Sequence, residues 1–167
     1  MFLLLCGSVY SMGGYSGSTQ SLASFKTRFN LVRRDASVPD NCRGSFAGST
    51  HSLQVYKSRL NEIQRDGSIS DMYWGDYAGS RHALGQFKAR YNEIRRDGSI
   101  PDMYWGNYAG SLNTLQVFKN KFEEIQKDGS IPDIYWGNYA GSTHPLRIYK
   151  PRFNEVQSDG SIPEFFW

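Results

Sequence analysis

Residues 75–105 read GDYAGSRHALGQFKARYNEIRRDGSIPDMYW, and residues 106–136 read GNYAGSLNTLQVFKNKFEEIQKDGSIPDIYW. Most positions of the two segments are identical, and Trp74, Trp105, Trp136 and Trp167 recur 31 residues apart in the same register. Self-similarity at a period of this size marks a repeat architecture, in which each unit buries its apolar face against a neighbour. Working outward, residues 44–74 form repeat 2, and 75–105, 106–136 and 137–167 form repeats 3, 4 and 5. Residues 13–43 are a divergent repeat 1, with Ala36 where the others have glycine and Cys42-Arg43 where they have aromatics. Residues 1–12 contain CGSVYSM, a degenerate remnant of a further unit.

The middle of each unit carries an apolar stripe at i, i+3, i+7, i+10. In repeat 3 it is Leu84, Phe87, Tyr91 and Ile94, and in repeat 4 Leu115, Phe118, Phe122 and Ile125. That spacing is one face of a 3.6-residue helix, so a long amphipathic helix of about 14–16 residues is expected in every unit. Ser80, Ser111 and Thr143 lie upstream as candidate caps. Gly67, Gly98, Gly129 and Gly160 follow an aspartate as left-handed stops. The next segment, Ser-Ile-Pro-Asp followed by aromatics, reads as a short helix with Ser99 as cap, Pro101 in the first turn and an interruption at Gly106. An extended aromatic loop is the competing reading. The expected fold is therefore all-α, five tandem 31-residue repeats in an elongated array.

The same repetition argues against an enzyme, because a catalytic site needs a unique constellation and here nearly every polar residue recurs. No nucleophile–base pair stands alone and no phosphate loop follows a strand. No catalytic residue, metal ligand or cofactor is expected. His51, His82 and His144 share a register with Gln20 and Asn113, and a metal ligand would not alternate with amides. Asp66, Asp97, Asp128 and Asp159, and the second set Asp71, Asp102, Asp133 and Glu164, fit turns and caps better than calcium loops, which need more closely spaced oxygens. Two cysteines make no disulfide framework.

Aromatics at 15% are the distinctive feature. Tyr73-Trp74, Tyr104-Trp105 and Tyr135-Trp136, with Tyr108 and Tyr139 just beyond, read either as inter-unit core or as a row of partner-binding anchors. Lys88/Arg90 and Lys119/Lys121 lie two residues apart on the long helix; they are a solvated face or a footprint for an acidic partner. Net charge by repeat runs +3, 0, +1, −1 and 0, too weak and uneven for a nucleic-acid binder. No apolar run approaches the ~18 residues of a membrane span. MFLLLCGSV lacks a basic n-region, so an intracellular or organellar location is expected, with secretion left open.

The expected role is a non-catalytic linker or scaffold that organises a repetitive, acidic protein assembly such as a filament, lattice or stacked antenna-type complex. The alternative is a self-contained α-solenoid that binds a protein partner. The two differ in where the stripe and the aromatics go: onto the partner in the first, into the chain's own core in the second.

Overall fold

A computed structural model describes residues 14–167, so the remnant at residues 1–12 lies outside the described residues. The described residues contain no strand. The long helices are Leu22–Arg33, Leu53–Asp66, Leu84–Asp97, Leu115–Asp128 and Leu146–Asp159. Each is followed by a one-turn 3-10 helix, of which Asp102–Tyr104 is typical. The short α-helices Arg43–Gly48, Trp74–Gly79, Trp105–Gly110 and Trp136–Gly141 come next. Repeat 1 opens instead on a turn at 15–18.

Stripe residues fill the core as their period requires: Phe87, Tyr91 and Ile94 are buried, with Leu84 at the edge. The long helices of repeats 2–5 stop at glycines with φ between 75° and 77°, a left-handed conformation that costs glycine nothing. Repeat 1 has Ala36 at that position, and its helix ends early, with Arg34 still right-handed.

Two expectations about caps are corrected. The long helices are capped two or three residues later than expected, by Ser21, Ser52 and Thr114, while Ala83 and Pro145 hold that position without a side-chain bond. Ser80 and Ser111 are buried and close the preceding short helix, donating to the carbonyls of Tyr77 and Tyr108. Ser99 caps nothing in the short helix; its amide and hydroxyl both donate to Asp97. Gly106 does not interrupt the short helix either, but lies inside Trp105–Gly110.

The array is not elongated. Tyr15 N donates to Phe166 O at 2.9 Å and Ser16 N to Trp167 O at 2.7 Å, so repeat 5 docks on repeat 1. One core cluster joins Tyr15, Phe25 and Phe29 to Val156, Ile162 and Phe166 across this seam. The physical reason is a difference between two layers. Neighbouring short helices touch through glycine: a Cβ on Gly110 would stand 2.8 Å from Asp76 O, and one on Gly141 2.9 Å from Asn107 O. The long helices, with full side chains between them, cannot approach so closely. Each repeat is therefore a wedge, and five wedges close a ring with the short helices inside.

Candidate functional site

The inner helices line an axial cavity of about 200 Å³ that is open to solvent, its wall made by glycines and serines from all five repeats. Each repeat also contributes the residue after the first glycine of its inner segment: Ser45, Asp76, Asn107 and Asn138, with Gly14 in repeat 1. Asp76 is the one carboxylate in this lining. Its Oδ2 is buried without a hydrogen-bond partner, and burial pushes its carboxyl well above the usual range. Cys42, packed beneath, is pushed up to about 12 by burial and secondarily by the Asp76 charge. Tyr56, whose hydroxyl donates to Cys42 O at 2.7 Å, is also raised by burial. These are the properties of a thiol and a phenol held neutral, not of nucleophiles.

The ring is tied together by bonds that recur in every repeat. The register of the histidines donates to the neighbouring repeat's serine carbonyl. Gln20 Nε2 reaches Ser49 O at 2.6 Å, Asn113 Nδ2 reaches Ser142 O at 3.0 Å, and the Nε2 atoms of His51, His82 and His144 stand 2.6–2.7 Å from Ser80 O, Ser111 O and Ser18 O. An imidazole and an amide are interchangeable here because each needs only one N–H at the same reach. The last of these contacts, His144 to Ser18, crosses the seam.

The residues expected as partner anchors take part in the same fastening. Arg90 lies 4.1 Å over the Tyr108 ring and donates to the carbonyls of Tyr108, Ala109 and Asn113, closing the C-terminal end of the next inner helix. Lys121 lies 4.1 Å over Tyr139 and donates to His144 O. Lys88 pairs with Asp66 and Lys119 with Asp97, each at 3.0 Å and each between adjacent repeats. Tyr73, Tyr104 and Tyr135 are buried, and their hydroxyls donate to the carbonyls of Asp102, Asp133 and Glu164 one repeat on. Tyr108 and Tyr139 are buried and donate to Glu93 and Glu124. Trp74, Trp105 and Trp136 are half-buried, and each Nε1 donates to an isoleucine carbonyl five residues back at 2.9 Å. The structure thus brings the tyrosines and the basic residues together along the seams between repeats, not on one outward patch.

Compared with known proteins, the chain matches no family model, no curated protein and no solved structure.

Among the features that stay outward, beside exposed Val55, Leu112, Val117 and Ile148, is a collar at the end where chain enters the inner helices. There an exposed acid follows an exposed proline or serine, and a partly exposed apolar residue follows the acid: Asp71-Met72, Asp102-Met103, Asp133-Ile134 and Glu164-Phe165. Phe165 is 43% exposed. Repeat 1 departs from this pattern with Asp40-Asn41, and its Asp40 pairs with Arg43 at 3.0 Å. Among the described residues the other four collar acids form no ion pair. The collar was written in the sequence as the second acidic set, but as capping residues; their exposure depends on how the ring closes. Among the described residues no helix is long and apolar enough to cross a membrane.

Proposed function

We propose that the chain is a non-catalytic, self-contained α-helical ring that binds a protein partner through its collar. The observation that carries this reading is the fate of the stripe and the aromatic anchors. The core stripe residues and the anchor tyrosines are buried within the ring, the anchor tryptophans are half-buried, and the contacts of repeat 5 with repeat 1 repeat those inside the chain. A linker that folds on its partner would leave them outward. The histidines support a structural role too, since each uses Nε2 to fasten neighbouring repeats.

The collar combines half-exposed apolar side chains with unpaired carboxylates, the mixture of apolar centre and polar edge found at protein interfaces. The collar carboxylates repel phosphate and so disfavour a nucleic acid, while Arg65, Arg95 and Arg96, in the last turns of the long helices, add the opposite sign. The lysines that pointed to an acidic partner are paired within the ring, so the partner is better described as a protein surface of mixed charge. A scaffold role in a larger assembly is the second reading; the near-identical collar motifs of repeats 2–5 favour it, because repeated sites engage together with avidity.

The test is crosslinking in native extract with three chains: wild type, the collar variant Met103→Asp/Phe165→Asp, and Leu112→Asp, which alters a side chain 60% exposed on the opposite end. A partner held by wild type and Leu112→Asp but lost by the collar variant supports the reading. Loss in Leu112→Asp alone would sink it. Variants with one, two or three altered collar motifs separate scaffold from single-site module: stepwise loss favours the scaffold, all-or-none loss the module.

A further inference from the structure

We propose that the outer wall of repeat 1 docks an acidic segment of a protein, with Leu31 as the apolar seat and Arg33 and Arg34 as the cations, extended onto repeats 2 and 3 by Arg65, Arg95 and Arg96. It rests on the protein partner proposed above, and gives the chemistry of one side of that partner.

The ring divides its cations into two groups. Lys26, Lys57, Lys88, Lys119 and Lys150 each pair with an aspartate of the adjacent repeat. The cations in the register of Arg90 each lie over an aromatic ring of the next repeat. Those at the C-terminal ends of the long helices fasten nothing. Arg33, Arg34, Arg65, Arg95 and Arg96 are exposed, and among the described residues none of them forms an ion pair. Cations favour a helix C-terminus, yet the helix Leu146–Asp159 has Gln157 and Ser158 there and is as long as Leu84–Asp97. The arginines are therefore not needed to build a repeat.

Repeat 1 adds a second, independent feature. In repeats 2–5 one helical register holds a glutamate that accepts a bond from a buried tyrosine, as Glu93 does from Tyr108. Repeat 1 has changed both partners: Leu31 stands in the glutamate register, 44% exposed, and Phe46 in the tyrosine register. Residues three apart on a helix are neighbours. Leu31 thus adjoins Arg34, where Glu62 and Glu93 adjoin Arg65 and Arg96 and partly cancel them. The result is an exposed apolar side chain beside two uncancelled arginines, in the repeat of highest net charge, +3.

An apolar centre edged by arginine is the composition of a protein hot spot, and the guanidinium fork selects carboxylates. The collar sets the direction of approach. Its unpaired acids are on repeats 2–5, whereas Asp40 of repeat 1 is paired with Arg43, so an acidic segment meets least repulsion at repeat 1. The segment that fits carries carboxylates on both sides of one apolar side chain.

The probe is a fluorescein-labelled synthetic peptide of glutamates around a single phenylalanine, titrated by anisotropy with the full chain. Arg33→Gln/Arg34→Ser installs the pair that repeat 5 carries, and Leu31→Glu the residue of repeats 2–5, so both keep the fold, with circular dichroism as the check. Arg81→Gln/Arg147→Gln removes the same charge from elsewhere on the surface. Wild type is expected to bind, more weakly as salt rises from about 50 to about 200 mM. Affinity should fall by about tenfold or more in each of the first two variants and stay within about twofold in the third. No binding by wild type, or an equal loss in Arg81→Gln/Arg147→Gln, overturns the proposal. A short DNA duplex held through the same residues as tightly as the peptide overturns its protein assignment. In the native extract, a partner lost by the collar variant but kept by Arg33→Gln/Arg34→Ser and by Leu31→Glu also overturns it, and leaves the collar reading standing. A partner lost by these two variants and kept by the collar variant supports this surface and sinks the collar.

Discussion

Ser16 donates its amide to the carbonyl oxygen of Trp167 at 2.7 Å, a bond between residues near the two ends of the described chain. Around it the seam reproduces the internal interfaces. Arg152 lies 4.1 Å over Tyr15 as Arg90 does over Tyr108, and Lys26 pairs with Asp159 at 3.0 Å as Lys88 does with Asp66. The seam differs from the other four interfaces in having no peptide bond across it. A circular permutant that deletes residues 1–12, joins Trp167 to Gly13 and opens the chain between Trp105 and Gly106 should therefore fold to the same ring. Its far-UV circular dichroism and its Tm should match wild type within a few degrees. A permutant that is unfolded would mean that the seam is not equivalent to the interfaces it resembles.

Closure also sets a size. The free chain should scatter as a compact particle with a radius of gyration near or modestly above ~15 Å, far from the ~43 Å of an unfolded chain of this length. It should melt cooperatively, because core clusters such as Ile63, Tyr77, Phe87 and Ala109 draw on three successive repeats. Trp105→Ala removes a ring packed edge-on against Tyr91 at 5.8 Å and should cost about 3–5 kcal/mol. A radius near the unfolded value, or a Tm indifferent to Trp105, would return the chain to the partner-folded linker reading.

Which parts of this could be read beforehand follows from where the cause lies. The stripe of Phe87, Tyr91 and Ile94 and the stop at Gly98 are local, so spacing alone located the long helices. Closure is not local. It depends on glycines four apart, Gly75 and Gly79 or Gly106 and Gly110, bringing inner backbones together. The pair is visible in the sequence, but its consequence is an angle between neighbours that no single repeat displays. The aromatics and basic residues read two ways for a related reason: Tyr104 and Arg90 have the composition of interface residues, and the interface they form in the ring is with the next repeat. Asp76 was hidden by pattern, because its siblings are Asn107, Asn138 and Ser45, and one substitution in a repeat reads as drift.

Two glycines on helices should respond with opposite sign. A methyl on Gly110 would stand 2.8 Å from the Asp76 carbonyl oxygen, and that backbone cannot move without opening the ring. Gly110→Ala should cost about 1–3 kcal/mol, as overpacking does. Gly85, in the long helix Leu84–Asp97, has nothing within 4 Å of its would-be Cβ. Gly85→Ala should stabilise by about 0.5–1 kcal/mol through helix propensity. Urea titration of both variants checks the pair, and a neutral Gly110→Ala would refute the wedge account of closure.

Acid should loosen the outer layer. Asp66, Asp97, Asp128 and Asp159 are held down to about 2 by the serine two residues on and then by the lysine of the next repeat; for Asp35, Lys57 leads and Ser37 follows. A depressed carboxylate adds stability above its unfolded value of 3.8, and that contribution disappears as pH falls toward 2. Tm should therefore drop through this window. Replacing Ser161 by Ala should move the share carried by Asp159 to higher pH, while leaving the other four unchanged. A flat Tm between pH 4 and pH 2 would mean these clasps contribute nothing.

Asp76 should behave in the opposite sense. Burial raises its carboxyl well above 3.8, so the folded state keeps the proton where the unfolded chain releases it. Such a group favours the unfolded state increasingly as pH rises above 3.8. In cation-free buffer at pH 7, Asp76→Asn should therefore stabilise the ring by about 1–3 kcal/mol, the cost of a buried group without a partner. At pH 3, where both states hold the proton, the gain should vanish. Urea midpoints of wild type and variant at the two pH values decide it. A variant less stable than wild type at pH 7 in the absence of any cation would mean that the carboxylate has a partner inside the ring.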